Sequence, residues 1–190
     1  NVGYIDKVSQ TPKEFYQELI SNPEHPKTSQ PTPGDFKSKY QYLTSHYEGI
    51  VSIHLPSKLS GTLQSALTAI KRIEFDNAVI IDSDNASTGL GLIVRHAAEL
   101  AKQGLDINQI VDGVNHIIPK THLYVAFNDL SYGVKGGRVP KSKKIITDLL
   151  HIRPVTTCKD GVLKPCGILF GMKDLHKKVA MFIINKFDNS

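Results

Sequence analysis

The chain has 190 residues, 40% of them hydrophobic, with 23 Lys and Arg against 18 Asp and Glu and a formal net charge of +5. That length and apolar content supply one large globular domain or one and a half ordinary ones. They leave no apolar run near the roughly 20 residues of a membrane span and no signal peptide near Asn1, and the charge is modest for a nucleic-acid binder of this size.

The first helix is predicted from Thr11-Pro12-Lys13-Glu14, a hydroxyl cap followed by proline at the first helical position, with Phe15, Tyr16, Leu19 and Ile20 on one face. Asn22-Pro23 ends it. Residues 26–35, PKTSQPTPGD, carry three prolines and a glycine and read as a stiff extended loop, with a second helix running on through Tyr40 and Leu43. Ile50, Val51 and Ile53 form a strand that stops at Pro56, and a loop of small polar residues leads into a helix over 63–75.

At that helix start, Ser60, Gly61 and Thr62 admit two uses. Capping is the commoner role of such hydroxyls. The alternative is contact with a bound anion, because the open amides at a helix start carry partial positive charge. Ala78 to Ile81 forms a second strand, followed by Asp82-Ser83-Asp84-Asn85 and a helix over 88–103 ended by Gly104. The acids lie where open parallel sheets place ligands, and they also suit turns and caps. A helix over 107–118 stopped by Pro119, then a strand over 123–127, continues an alternation that predicts a parallel sheet with helices on both faces.

From Asn128 the pattern changes. Residues 130–139, LSYGVKGGRV, form a turn-rich element whose adjacent glycines point to positive φ or close backbone approach. Residues 142–150 are predicted helical, Ile152–Cys158 and Val162–Cys166 form a hairpin about Asp160-Gly161, and 174–187 form a last amphipathic helix. The hairpin sets Cys158 opposite Leu163, so both cysteines are expected as free thiols. Lys135, Arg138, Lys141, Lys143 and Lys144 fall close together, either as a solvated face or as a phosphate or carboxylate contact, and the glycines hold Arg138 on a defined turn. The eight histidines lack HExxH or CxxC partners, so no metal site is expected. No stacking aromatic beyond Tyr132 accompanies the basic cluster, which argues against a nucleic-acid partner.

Four stretches together, KTSQPTPGDF at 27–36, IHLPSKLSGTLQSA at 53–66, IDSDNASTGLGLIV at 81–94 and LSYGVKGGRV with LLHIRPV over 130–155, resemble the DegV family of bacterial fatty-acid-binding proteins. The resemblance implies a two-domain α/β fold. A parallel N-terminal domain over 1–127 is followed by an α/β domain with antiparallel strands over 128–190, with one long-chain fatty acid between them. It implies a carboxylate held at Thr28 and Ser60, with Ser29, Gly61 and Thr62 nearby and Arg138 near the head group. Ile53, Leu59, Leu90, Ile93 and Phe127 are the implied pocket lining. Hydroxyls and open amides can hold a carboxylate without a buried counter-charge, and each buried methylene contributes about 0.8 kcal/mol.

Some family members present the acid to a separate fatty acid kinase, so the expected role is a carrier with no catalytic residue and no cofactor, cytoplasmic, with transient membrane contact. The rival reading is a hydrolase or phosphotransferase using Ser60, with His54 as base. The family's first strand with its acidic TDS-type motif, and its closing histidine segment, are absent, so residues are expected to be missing at both ends. Lys58 stands where a glycine is common, and residues 167–173 replace an arginine-rich run, which weakens the expectation of docking to the usual kinase.

Overall fold

The computed structural model describes residues 3–5, 8–139, 152–171 and 173–188. The predicted helix over 142–150 and the lysines at 141, 143 and 144 lie outside these. Helix α1 spans Pro12–Ser21, with a reciprocal capping box between Thr11 and Glu14. No residue of α1 is buried. Helix α2 spans Pro33–Thr44, opened by the same device between Thr32 and Asp35. This corrects the extended loop predicted through residue 35: Pro33 sits at the first helical position, where its missing N–H is no loss.

Strand β1 (Ile50–His54) and strand β2 (Ala78–Asp82) pair in parallel, Ile50 against Ala78 through His54 against Asp82. Helix α3 (Thr62–Ile70) connects them. It ends before the predicted residue 75 because the chain turns there, with Arg72 N–H donating to the Ala69 carbonyl and Phe75 N–H to that of Ile73. Helices α4 (Ser87–Lys102) and α5 (Ile107–Ile117) follow, and Pro119 lies inside a 3-10 turn, Ile118–Lys120.

Side-chain alternation along the two strands divides the core. Ile50, Ala78 and Ile80 pack with Tyr40 of α2 and Ala66 and Ala69 of α3. Val51, Ile53, Val79 and Ile81 face Ile93 and Ala97 of α4 and Ile110 and Val114 of α5. Helices therefore cover both faces of the parallel pair, as the βαβα pattern predicts.

Strand β3 (Tyr124–Ala126) departs from that pattern. It pairs antiparallel with β4 (Ile152–Lys159), Val125 opposite Thr156, and β4 pairs antiparallel with β5 (Val162–Phe170). The order β3-β4-β5 makes a second sheet, so the expectation of a third parallel strand is corrected, and the pairing crosses the expected boundary after residue 127. Three apolar positions carry the same period-2 pattern in either direction, and partner choice came from the distant strand.

The hairpin turn forms as predicted, with Asp160 at φ 56° and Gly161 at φ 71° and with Cys158 opposite Leu163. Both cysteines are free thiols. Strand β5 runs four residues past the predicted Cys166, with Cys166 itself as the extra residue of a bulge opposite Val155 and Thr156 of β4. A short helix α6 (Ser131–Lys135) and the C-terminal helix α7 (Leu175–Asp188) complete the described elements. Among the described residues no helix is long and apolar enough to cross a membrane.

Candidate functional site

After β1 the chain turns over Pro56, whose carbonyl accepts from the amides of Leu59 at 2.9 Å and Ser60 at 3.1 Å. Ser60 Oγ accepts from the Thr62 amide at 3.2 Å and shares a hydrogen bond with Thr62 Oγ1 at 2.8 Å. Ser60 thus serves its own helix start. The two hydroxyls carry two protons between them, and their mutual bond uses one. The other remains to donate onward.

Gly61 fixes what lies over this loop. A Cβ there would stand 2.7 Å from Gln30 Nε2 and 3.0 Å from Gln30 Cδ, so the absence of a side chain lets Gln30 lie across it. Thr28 and Ser29, the two residues before Gln30, are exposed, and among the described residues neither hydroxyl has a hydrogen-bond partner. The same loop reaches α6 at its other end, where the His25 and Tyr132 rings lie 6.0 Å apart. Lys135 Nζ stands 5.5 Å over the Tyr132 ring.

Arg138 follows α6 across Gly137, whose φ of 76° accounts for a glycine there. The guanidinium is exposed, and Nη1 donates to the Gly136 carbonyl at 2.6 Å. Arg138 and Leu59 line one cavity of about 480 Å³, together with Lys58, Val162 and Lys164. Of the other expected lining residues, Ile53, Leu90 and Phe127 are half-buried. Ile93 is 0% exposed inside the α4–α5 core cluster and offers no free surface.

The acidic loop after β2 is built as a turn. Asp82 accepts from the amides of Ser57 at 3.2 Å and Asp84 at 2.9 Å. Asn85 Nδ2 donates to the Thr121 carbonyl at 2.8 Å. Asp84 also accepts from the Gly161 amide at the tip of the β4–β5 hairpin, while Lys58 Nζ donates to the Asp160 carbonyl at 3.0 Å. The tip is so close that a Cβ on Gly161 would meet Pro56 Cβ at 3.2 Å. Burial, then the negative charges of Asp84 and Asp82, push the Cys158 thiol up to about 11, which keeps it protonated and unreactive.

His54, the base of the rival reading, is committed elsewhere. Its Nε2 pairs with Ser52 Oγ at 2.7 Å, Ser52 pairs with Tyr40 at 2.8 Å, and the Phe36 ring stands edge-on at 5.2 Å. Burial lowers its pKa. Among the described residues no group of three His, Cys, Asp or Glu is placed to hold a metal.

Sequence reasoning missed Gln30, the His25–Tyr132 contact and the Asp84–Gly161 bond. The glycine of LSGT was a signal for close approach, but nothing local named the group approaching.

The whole chain, residues 1–190, matches a family model described as an uncharacterised protein of the DegV family. A DegV domain-containing protein of Staphylococcus aureus is 40% identical over 162 residues, which cover 85% of this chain and 57% of that protein. A DegV domain-containing protein of Caldanaerobacter subterraneus is 32% identical over 188 residues, covering 99% of this chain and 65% of its own length. Among solved structures, a DegV family protein from Thermus thermophilus described for its fatty acid binding superimposes with a TM-score of 0.84 at 29% identity, over 98% of this chain and 65% of that one. A DegV lipid-binding protein from Thermotoga maritima gives 0.78 at 29% identity, over 95% and 63%. The chain thus spans less than two thirds of the length of each of these relatives.

Proposed function

The chain belongs to the DegV family, and from that premise we propose that it binds one long-chain fatty acid between two α/β bodies, read from the sequence as residues 1–127 and 128–190. The carboxylate accepts from the hydroxyls of Thr28 and Ser60, with Ser29, Gly61 and Thr62 beside them and Arg138 closing the head-group side. The acyl tail runs along Ile53, Leu59, Leu90 and Phe127, with Ile93 behind. The observation that carries this reading is Gln30 lying across Gly61, which brings the TSQP and LSGT loops together. The unspent hydroxyl proton of the Ser60–Thr62 pair and the unpartnered hydroxyls of Thr28 and Ser29 are the donors a carboxylate needs.

In this reading the protein is a cytoplasmic carrier that touches membranes transiently and presents its fatty acid to a separate ATP-dependent kinase. The Thermus thermophilus relative's described fatty acid binding supports the ligand class. His54, held by Ser52, gives Ser60 no evident base, which favours the carrier over a serine-dependent enzyme. The test is organic extraction of the purified full-length protein and mass spectrometry of the extract. A long-chain acid near one equivalent is expected. Protein that emerges empty and shows no binding of oleate or palmitate would overturn the proposal.

A further inference from the structure

Where α2 lies on β1, three side chains form a polar chain. Tyr40 Oη and Ser52 Oγ are 2.8 Å apart, and Ser52 Oγ and His54 Nε2 are 2.7 Å apart. Ile50, Ser52 and His54 alternate onto one face of the strand, and on that face Ile50 packs with Tyr40 of α2 and with Ala66 and Ala69 of α3. The Phe36 ring, in the first turn of α2, stands edge-on to His54 at 5.2 Å and tilted to Tyr40 at 5.7 Å. Both hydroxyl loops issue from these elements. Thr32 caps α2, so Thr28, Ser29 and Gln30 lead directly into the helix that carries Phe36 and Tyr40. Gly61 opens α3, whose Ala66 and Ala69 belong to the same cluster as Tyr40.

Two hydrogen bonds join the three groups, and each bond takes one proton. With the ring neutral and its proton on Nδ1, Tyr40 donates to Ser52 and Ser52 donates to His54, and no proton is left over. A proton on Nε2 makes three protons for the same two bonds. His54 then donates to Ser52, and one of the two hydroxyls holds a proton that no group of the chain accepts. Tyr40 is 2% exposed, and burial holds its phenol above its ordinary pKa, so it keeps its own proton and has no water to give it to. An orphaned buried donor is costly. Asp82, the register partner of His54 on β2, keeps its negative charge but is aimed at the amides of Ser57 and Asp84. Helix α3 carries no charged residue, and α2 packs on this face through Phe36, Tyr40 and Leu43. Burial is what acts on the His54 ring, and it disfavours the charge.

We infer that this chain is a proton-sensitive latch: neutral His54 seats α2 on β1 and keeps Gln30 over Gly61, and a proton on His54 loosens that seating and weakens the ligand held by the two loops. The inference rests on the fatty-acid reading above and adds its regulation. His54 is a positioning residue, acting through Ser52, Tyr40 and Phe36 on α2 and not by contact with the ligand. Linkage makes the coupling reciprocal, so a bound fatty acid disfavours the proton by the same factor by which the proton weakens the fatty acid.

Two measurements on the full-length protein test this. Oleate affinity is measured at about pH 8 and 5 for the wild type and for His54→Gln, whose amide oxygen still accepts from Ser52 but does not titrate, with circular dichroism confirming the fold at both values. The ratio of the two proteins removes the titration of oleate itself, which both share. The wild type is expected to lose about five- to tenfold more affinity on acidification than His54→Gln. An NMR titration of the wild-type His54 ring, assigned through its contact with Phe36, needs no variant. Its pKa is expected to fall when oleate binds, by the logarithm of that same ratio. A rise would report the bound carboxylate acting on the ring as a charge, and would overturn the latch. Parallel affinity profiles in the two proteins, or an unchanged His54 pKa, would overturn it too and leave the fatty-acid site standing. Absence of oleate binding at both pH values would overturn that site and the latch with it.

Discussion

Asp84 and Gly161, 77 positions apart, are joined by a hydrogen bond from the glycine amide to the aspartate carboxylate. The bond ties the loop at the end of the parallel pair to the tip of the antiparallel hairpin. Asp84 adopts φ 48° and Gly161 φ 71°, so both ends of the contact lie in turns whose shape is set locally. Two locally determined turns thus make the joint beside which the cavity opens.

Replacing Asp84 separates charge from conformation. Asp84→Asn keeps an acceptor oxygen and tolerates the left-handed backbone, and about 1 kcal/mol of stability is expected to go with the charge. Asp84→Ala loses the bond as well, about 1.5–3 kcal/mol, with about 1–2 kcal/mol more for a left-handed alanine. Denaturant unfolding measures both, and hydrogen exchange at the Gly161 amide should rise in each. The Asn variant should also lower the Cys158 pKa from about 11, because Asp84 is one of the charges raising it. Alkylation of that thiol would then set in at lower pH.

The two hydroxyl loops can be tested through the glycine between them. Gly61 has φ −71°, which alanine adopts freely, so Gly61→Ala strains nothing except Gln30. The expected result is a folded protein with about tenfold weaker fatty-acid binding as Gln30 is pushed aside. Gln30→Ala alone should cost less, and the double variant should recover part of the loss. A double-mutant cycle on fatty-acid affinity measures the coupling. Strict additivity would mean that the contact does not position the loops.

Ser60→Ala removes both the proposed ligand donor and the bond accepted from the Thr62 amide. The helix-start bond is worth about 1 kcal/mol. Fatty-acid affinity is expected to fall about tenfold in protein that still folds. Unfolding midpoints and lipid content, measured on the same preparation, separate the two roles. Normal affinity in a destabilised protein would leave Ser60 a cap and nothing more.

His54 gives a pH signature. Burial holds its folded pKa below the ordinary 6.5, so the fold favours the neutral ring. The unfolded chain binds the proton more readily in that window. The stability from neutral His54 is complete above the unfolded value and is lost as pH falls through 6.5 toward the folded value. His54→Gln should therefore flatten the acid side of the stability profile relative to wild type. Unfolding free energies measured at about pH 5 and 8 would show this, and parallel profiles would exclude it.

Most elements were legible because their signals are local. The capping box at Thr11 and Glu14, the β-branched run of Ile50, Val51 and Ile53, and the Asp160-Gly161 turn each act over a few residues, and each forms where expected. Pro33 was misread because a proline cluster hid the capping box at Thr32 and Asp35. For the proposed site, the sequence marked Ser60, Gly61 and Arg138 by type and spacing, and the family resemblance gave Thr28 its role.

By itself the sequence determined where most helices, strands and turns lie, and which hydroxyls and cations are available to a ligand, because capping, backbone freedom and side-chain period depend on near neighbours. Only the tertiary structure decided that β3 joins the antiparallel sheet, that Gln30 lies across Gly61, and that Lys58, Arg138 and Lys164 face one cavity. Those are contacts between distant segments. Their geometry follows from how the loops after β1 and β2 meet the tip of the β4–β5 hairpin, and no local pattern in the chain encodes it.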